Sequence, residues 1–253
     1  MNNKFHKKIS IIIPVRNEKD SFEIMINVLE SIIKIDHEII VVYDIDEDTT
    51  IAIVNKYIKK FNNIKLVKNN LGVGVKNAIE CGIKNSNSSV ILITVVDEIF
   101  PIVSIDSMYK LISEKNCDLV SGTRYALGGK RYGGSFIGHF LSRFANFLFT
   151  ALTGSIMTDS TTGIKMFKKK VWDKINPESD VGWSFAFEMS IKAQMLNLKI
   201  GEVPIISVDR LFGGKSTFSV NSWINGYMKW FIFGVKKINY INRKQKKAVT
   251  IRK

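Results

Sequence analysis

Carboxylates gather at two places where this chain could hold a phosphorylated ligand. The first is Tyr43-Asp44-Ile45-Asp46-Glu47-Asp48-Thr49-Thr50, with four acids in five positions. Such a loop can hydrogen-bond a base and ribose or give oxygen ligands to a divalent cation; the competing use is to cap the next helix through Asp46 or Asp48. The second is Val95-Val96-Asp97-Glu98-Ile99-Phe100-Pro101, where an acid closes an apolar run. A carboxylate there is costly unless solvated or paired, and one is enough for a cation whose other ligands are the oxygens of a diphosphate. Opposite charge comes from glycine-containing loops: Gly122-Thr123-Arg124-Tyr125, Gly128-Gly129-Lys130-Arg131 and Asp209-Arg210-Leu211-Phe212-Gly213-Gly214-Lys215-Ser216. Loops of this kind can close over a phosphate with arginine forking onto two oxygens, and surface ion pairs are the alternative for each residue.

Other motifs are weaker. Leu71-Gly72-Val73-Gly74-Val75-Lys76-Asn77 resembles a dinucleotide-binding turn, but Asn77 replaces the last glycine and the turn precedes the third helix rather than the first. Tight turn geometry accounts better for these glycines. His6, His37 and His139 show no ligand or triad spacing, and there is no Gly-x-Ser-x-Gly, so hydrolase and zinc-enzyme chemistry are unsupported. Cys81 and Cys117 are isolated, which fits a reducing cytoplasmic setting and no disulfide framework.

The elements that must position these residues alternate. Ile9–Ile13, Glu38–Val42 and Val90–Val96 are apolar, β-branched runs bounded by turn residues, expected as buried strands of a mainly parallel sheet. Ser21–Ile33, Glu47–Lys60 and Val73–Lys84 carry apolar residues at helical spacing. The resulting β-α-β-α-β-α-β order is of a nucleotide-binding type, with the ligand outside the carboxyl ends of the strands. Further on, His139–Thr153 and Ser184–Asn197 read as helices, the second amphipathic, and Lys199–Val208 reads as a strand. The chain of 253 residues divides into a catalytic domain over residues 1–220 and a basic, amphipathic segment over 221–253.

The net charge of +14 is concentrated at the ends: nine basic residues and no acid follow from Lys229 onward, and Lys4, Lys7 and Lys8 open the chain. A nucleic-acid binder more often spreads its basic residues over a folded face, whereas basic clusters beside apolar aromatic segments suit an anionic membrane surface; a merely solubilising tail is the alternative. No leader peptide is expected, because Met1–Lys8 is polar and the following apolar run is short and contains Pro14. No run is long enough to span a bilayer; Phe144–Thr158 and Trp223–Val235 suit segments lying on one. Trp223, Tyr227, Trp230, Phe231 and Phe233 belong to a helix whose apolar face meets a membrane, the domain or another subunit, so a homo-oligomer stays open.

Taken together and in order, these segments resemble the family 2 glycosyltransferases, in the branch with dolichyl-phosphate mannosyltransferase and bacterial polyprenyl-phosphate sugar transferases. The matching residues are Ser10-Ile11-Ile12-Ile13-Pro14 with Asn17-Glu18, Val41-Val42-Tyr43-Asp44 with Asp48-Thr49-Thr50, Asn70-Leu71-Gly72-Val73-Gly74, and Asp97 with Pro101. They continue through Ser121-Gly122-Thr123-Arg124-Tyr125 with Gly128-Gly129, Ser142-Arg143 with Ala145-Asn146, Asp159 with Thr162-Gly163, Phe187-Glu188, and Glu202-Val203-Pro204-Ile205 with Asp209-Arg210 and Gly213. The resemblance implies an α/β GT-A (Rossmann-like) fold with a mainly parallel central sheet and a C-terminal amphipathic helical segment. It implies a nucleotide-sugar donor and a divalent cation, Mg2+ or Mn2+. By position Pro14, Arg16, Glu18, Val42 and Asp44 would line the donor pocket, and Asp97 would hold the cation on the diphosphate. Arg124, Ser142, Arg210, Lys215 and Ser216 match positions that grip an acceptor phosphate, with Asp97, Arg124 and Arg210 carrying catalysis.

Three departures bear on that carry-over: Tyr43 replaces the first of two adjacent aspartates, Val95 the first acid of Asp-x-Asp, and Gly138 a further phosphate-binding arginine. If the strand continues past Asp97, Glu98 points away from it. The expected reaction is inverting transfer of a sugar to a polyprenyl phosphate by a peripheral protein at the cytoplasmic face of the membrane, with no role for nucleic acid. A phosphate nucleophile is largely ionised at neutral pH and needs no strong base. Transfer to a saccharide hydroxyl would need one, with Asp159 or Glu188 as candidates. A silent nucleotide-binding module is the third expectation.

Overall fold

The computed structural model describes residues 8–134, 136–208, 220–238 and 249–250, and of residues 136–138 and 220–223 the backbone alone. Strands β1 (Ile9–Val15), β2 (His37–Tyr43), β3 (Ile64–Lys68) and β4 (Val90–Ile93) alternate with helices α1 (Lys19–Ile32), α2 (Thr50–Ile58) and α3 (Val75–Lys84). After α4 (Ile105–Ser113) come β5 (Leu119–Thr123), β6 (Lys130–Tyr132), α5 (Phe136–Thr153), β7 (Lys165–Lys168), α6 (Lys169–Ile175) and α7 (Ser184–Met195). β8 (Ile200–Pro204), β9 (Ile206–Val208), α8 (Val220–Ile238) and β10 (Val249–Thr250) complete the order. The main sheet runs β10-β8-β5-β7-β4-β1-β2-β3, parallel except for β7, which is antiparallel to both β4 and β5.

Period-two alternation divides the core between the two faces of this sheet. Ile11, Ile13, Ile39 and Val41 pack with Phe22, Met25, Ile26 and Leu29 of α1, residues spaced at one face of a helix. Ile12, Ile40 and Val42 pack on the other side with Ala78 and Ile79 of α3 and Phe185 and Met189 of α7. Because both faces are covered, the central strands are mostly apolar rather than alternating, and the polar Ser10 and Glu38 near the starts of β1 and β2 are buried on each other.

Several expected bounds shift. The run expected as a strand over Val90–Val96 leaves the sheet at Ile93, so Asp97 lies in a turn and the alternation that would aim Glu98 away from it does not apply. The expected strand Lys199–Val208 is two strands: β8 belongs to the main sheet and β9 pairs in parallel with β6. Ile205 makes the crossing, its N–H bonded to the Thr123 carbonyl and its carbonyl accepting from Lys130 N–H. The expected amphipathic helix at Ser184–Asn197 is instead buried almost all round, polar Glu188, Ser190 and Gln194 included. Its outer side is covered by α8, where Trp230 and Ile238 join Phe149, Phe187 and Ile191 in a third apolar cluster flanked by Tyr227, Phe231 and Phe233. A Cβ at Gly234 would stand 2.6 Å from the Phe149 ring, so only glycine permits this approach. Trp223's side chain lies outside the described ones.

Candidate active site

The carboxyl ends of β1 and β2 meet in a reciprocal clasp. Asp48 is buried, and its Oδ1 accepts from the N–H of Asn17 (3.0 Å) and of Thr50 (2.8 Å). Asn17 Oδ1 accepts from Thr49 N–H (3.1 Å), and Thr50 Oγ1 accepts from Glu18 N–H (2.8 Å). The clasp draws Asn17 into the left-handed region at φ 58°, which asparagine tolerates better than most residues. Asp48 therefore does cap α2, and it also ties the loop bearing Arg16 and Glu18 to the loop bearing Asp44. Pro14 is half-buried at the end of β1, Val42 is buried within β2, and Arg16 projects into solvent.

Asp44 is held by two donors: Asn69 Nδ2 reaches Oδ1 (2.7 Å) and Gly74 N–H reaches Oδ2 (3.0 Å) at the start of α3. Asn69, itself buried, also bonds the Gly72 carbonyl and the Leu71 N–H. Gly72 and Gly74 have φ of 99° and 133°, so the turn reading of these glycines holds, with the added role of presenting an N–H to Asp44. Each Asp44 oxygen keeps a second lone pair for a ligand. Asp46 is exposed and pairs with Lys68.

For a cation, the donor set is small. Asp97 and Glu98 are half-buried neighbours in the turn after β4, Val95 packs against the core, and no cluster of three His, Cys, Asp or Glu occurs among the described residues. One carboxylate fits Mg2+ or Mn2+ when phosphate oxygens and water fill the other positions.

On the other side, Arg124 leaves the end of β5 and forks onto Asp159: Nε to Oδ2 at 2.7 Å, Nη2 to Oδ1 at 2.9 Å, with Arg124 N–H also on Oδ2 at 3.2 Å. Burial alone would lower the guanidinium's pKa, but the Asp159 charge beside it raises it, so the group stays protonated. Burial likewise works to raise the Asp159 carboxyl, and Arg124 overrides it and holds it below the usual range. Arg124 is 12% exposed and Asp159 fully buried, so this is not the surface pair weighed as an alternative. Nη2 also donates to Thr161 Oγ1, while Nη1 makes no hydrogen bond among the described residues. The Arg124 guanidinium feels the charge of Glu98, which brings the turn after β4 and the Arg124 loop into one neighbourhood.

Ser142 of α5 joins the same cluster: its Oγ shares a 2.7 Å hydrogen bond with Tyr125 Oη, and its carbonyl accepts from Asn146 Nδ2, which reaches Thr161 Oγ1 as well. Tyr227 of α8 lies within electrostatic reach of Arg124 and Asp159, and burial pushes its hydroxyl up to about 12. Both acids considered as bases are engaged. Asp159 accepts from Arg124 and Thr161, and Glu188 accepts from the N–H of Glu178 and Ser179 at 2.8 Å each and pairs with Lys192. Arg210, Lys215 and Ser216 lie outside the described residues. Sequence reasoning missed Asn69 and the roles of Asp48 and Glu202; β3 before Asn69 is a half-exposed strand ending in Lys68, so no apolar run marks its end.

A mainly parallel central sheet with carboxylates beyond the ends of β1, β2 and β4 and a buried arginine at the end of β5 places the charged groups where ligands of α/β sheets of this class bind. The chain belongs to glycosyl transferase family 2, which it matches over residues 10–175. It is 26% identical over 233 residues to a dolichol-phosphate mannosyltransferase of Pyrococcus furiosus, covering 88% of this chain and 64% of that protein. It is also 26% identical over 216 residues to a dolichyl-phosphate beta-glucosyltransferase of Dictyostelium discoideum, covering 78% and 65%. The chain thus spans slightly less than two thirds of the length of these relatives. Among solved structures it resembles glucosyl-3-phosphoglycerate synthase of Mycobacterium tuberculosis in complex with Mn2+, UDP and glucosyl-3-phosphoglycerate, at TM-score 0.69 and 14% identity over 91% of this chain and 80% of that one. That likeness identifies the GT-A fold.

Proposed function

We propose that the chain transfers a sugar from a nucleoside diphosphate sugar to a polyprenyl phosphate, with inversion at the anomeric carbon. The observation that carries this reading is the state of the acceptor side. Arg124 is locked on one edge by Asp159, its Nη1 making no hydrogen bond among the described residues, and both acids considered as bases are already engaged. An anionic acceptor suits this set, because an ionised phosphate attacks without a base and needs alignment. The lipid-phosphate names of the two relatives point the same way. Arg124, Ser142, Arg210, Lys215 and Ser216 would align the phosphate; Pro14, Arg16, Glu18, Val42 and Asp44 would hold the nucleotide. Asp97 would hold a divalent cation, which supplies charge at the departing diphosphate.

A peripheral position at the cytoplasmic face of a membrane is part of this proposal. No helix among the described residues is long and apolar enough to cross a membrane. α5 nevertheless exposes Phe140, Leu141, Phe144 and Phe147, the last at 68%, on the side away from Asn146. α8 exposes Ile224, Met228 and Ile232 beside Lys229, Lys236 and Lys237, a mixture suited to anionic lipid. Phe144→Glu and Phe147→Glu together should abolish co-sedimentation with anionic liposomes; retained binding contradicts this face, and loss of a dimer instead in sedimentation velocity assigns it to a second copy. The reaction itself is tested with labelled UDP- and GDP-sugars, Mg2+ or Mn2+ and farnesyl phosphate. Organic-extractable label that disappears in Asp97→Ala and Arg124→Ala is expected. Label only in water-soluble product would refute the lipid phosphate and move the reading to a hydroxyl acceptor. Nucleotide binding without turnover would favour a silent module, the reading that Val95 and Tyr43 motivate.

A further inference from the structure

Beneath the Arg124 loop lies a buried carboxylate to which no role has been given. Glu202, in the apolar strand β8 beside Ser121 of β5, is 1% exposed. Its partners all sit on one turn. Oε1 accepts from the N–H of Thr158 (2.9 Å) and of Asp159 (3.3 Å), and Oε2 accepts from Thr158 N–H (3.1 Å) and Thr158 Oγ1 (3.0 Å). We propose that Glu202 is a positioning residue that fixes the Arg124 loop in the acceptor site through two hydrogen-bonded arms anchored on the Thr158–Asp159 turn. The proposal rests on the reading that Arg124 meets the acceptor phosphate.

The first arm runs from Glu202 through the Asp159 backbone to its carboxylate, which takes the backbone N–H, Nε and Nη2 of Arg124. The second arm has a direction forced by donor and acceptor counting. Burial raises the Glu202 carboxyl to about 7; above that pH it is ionised and only accepts, so Thr158 Oγ1 then gives its single hydrogen to Glu202. The 2.7 Å contact between Thr158 and Thr123 must then be a donation from Thr123 Oγ1. With its own hydrogen spent, Thr123 Oγ1 accepts from the N–H of Tyr125 and Ala126, at 3.2 Å each, on the far side of Arg124. One carboxylate thus holds both flanks of the arginine. The local charges match: Lys165, fully buried on Ser121 Oγ and Ser190 Oγ at 3.0 Å each, and Arg124 offset Asp159 and Glu202.

Glu202→Gln replaces one acceptor with a donor. An amide N–H on Thr158 Oγ1 takes away the acceptor of the Thr158 hydroxyl hydrogen, which is then left without a partner or turns onto Thr123 Oγ1, where it competes with the N–H of Tyr125 and Ala126. Thr158→Val removes the second arm alone and is nearly isosteric, so it serves if the glutamine variant fails to fold. The test has two readouts. By NMR, hydrogen exchange of the Arg124 Nε–H should accelerate about tenfold in both variants, as local opening becomes easier. In steady-state kinetics, KM for farnesyl phosphate should rise about fivefold or more with little change in kcat or in nucleotide Kd. Added to Arg124→Ala, Glu202→Gln should cost less than about a further twofold, because the two act as one unit. Unchanged Nε–H exchange in both variants overturns the proposal whatever the acceptor is, and so does an equal rise in nucleotide Kd and acceptor KM. Faster exchange in a protein whose wild type ignores farnesyl phosphate supports the positioning and sinks the acceptor reading instead.

Discussion

Asp159→Asn isolates the energetics of the buried pair. The substitution keeps shape and removes charge, leaving the Arg124 guanidinium, 12% exposed, without its counter-ion. Breaking a buried, hydrogen-bonded pair from one side costs about 3–5 kcal/mol, because the remaining charge stays desolvated. For a chain of this size each kcal/mol lowers Tm by about 2 °C, so a fall of about 6–10 °C is expected. Thermal unfolding followed by circular dichroism at pH 7 measures it. Lys56→Ala, which breaks the solvent-exposed pair with Glu23, is the comparison and should lower Tm by about 1 °C or less. Combining Asp159→Asn with Arg124→Met removes the stranded charge as well and should recover about half the loss or more. An Asp159→Asn protein that melts with the Lys56→Ala protein would refute the reasoning, and a double variant less stable than either single one would show that geometry rather than charge dominates.

Two further outcomes follow from single residues. Burial pushes the Glu202 carboxyl from 4.5 up to about 7, so the folded state binds a proton that the unfolded state has released. Its contribution to stability is full below about pH 4.5 and is lost as pH rises to about 7, about 3 kcal/mol in all; urea titrations across that window should show the decline, and Glu202→Gln should flatten it. Gly74→Ala meets no atom within 4 Å but demands a φ of 133° from a residue with a side chain. It should cost about 1–3 kcal/mol and weaken UDP or GDP binding by shifting the N–H on Asp44, and a calorimetric titration with unchanged affinity would contradict that link.

Much of the framework was legible because burial and periodicity act locally. β1 and β2 sit in the core on both faces, so Ile11–Ile13 and Ile39–Val42 are continuous apolar runs, and α1 shows a single apolar stripe. α7 misled because its outer face is covered by a helix more than thirty residues later, which no local pattern encodes. Lys199–Val208 misled because hydropathy does not mark where a strand changes sheets. The candidate site divides the same way. Expected strand ends point to Asp44, Asp97 and Arg124, since ligands in such sheets gather there, although β4 itself ends at Ile93 and leaves Asp97 in the following turn. Asp48, Asn69 and Glu202 act through hydrogen bonds across 25 to 44 residues of chain, and only the folded arrangement brings those partners together.

The antiparallel strand β7 limits how this protein can be cut and recombined. It enters between β4 and β5, pairing Val90 with Lys168 on one side and Ser121 with Lys165 on the other. The first four strands therefore lie against a segment encoded after α5. A breakpoint anywhere between residues 94 and 164 leaves β4 without its neighbour, an open apolar edge prone to intermolecular pairing. Chimaeras that exchange the second half of the chain would have to carry residues 165–168 with the recipient's own β4, or exchange the two strands together. During synthesis the same interleaving delays closure of the sheet until β7 has emerged, which ties folding of the first half to completion of the second.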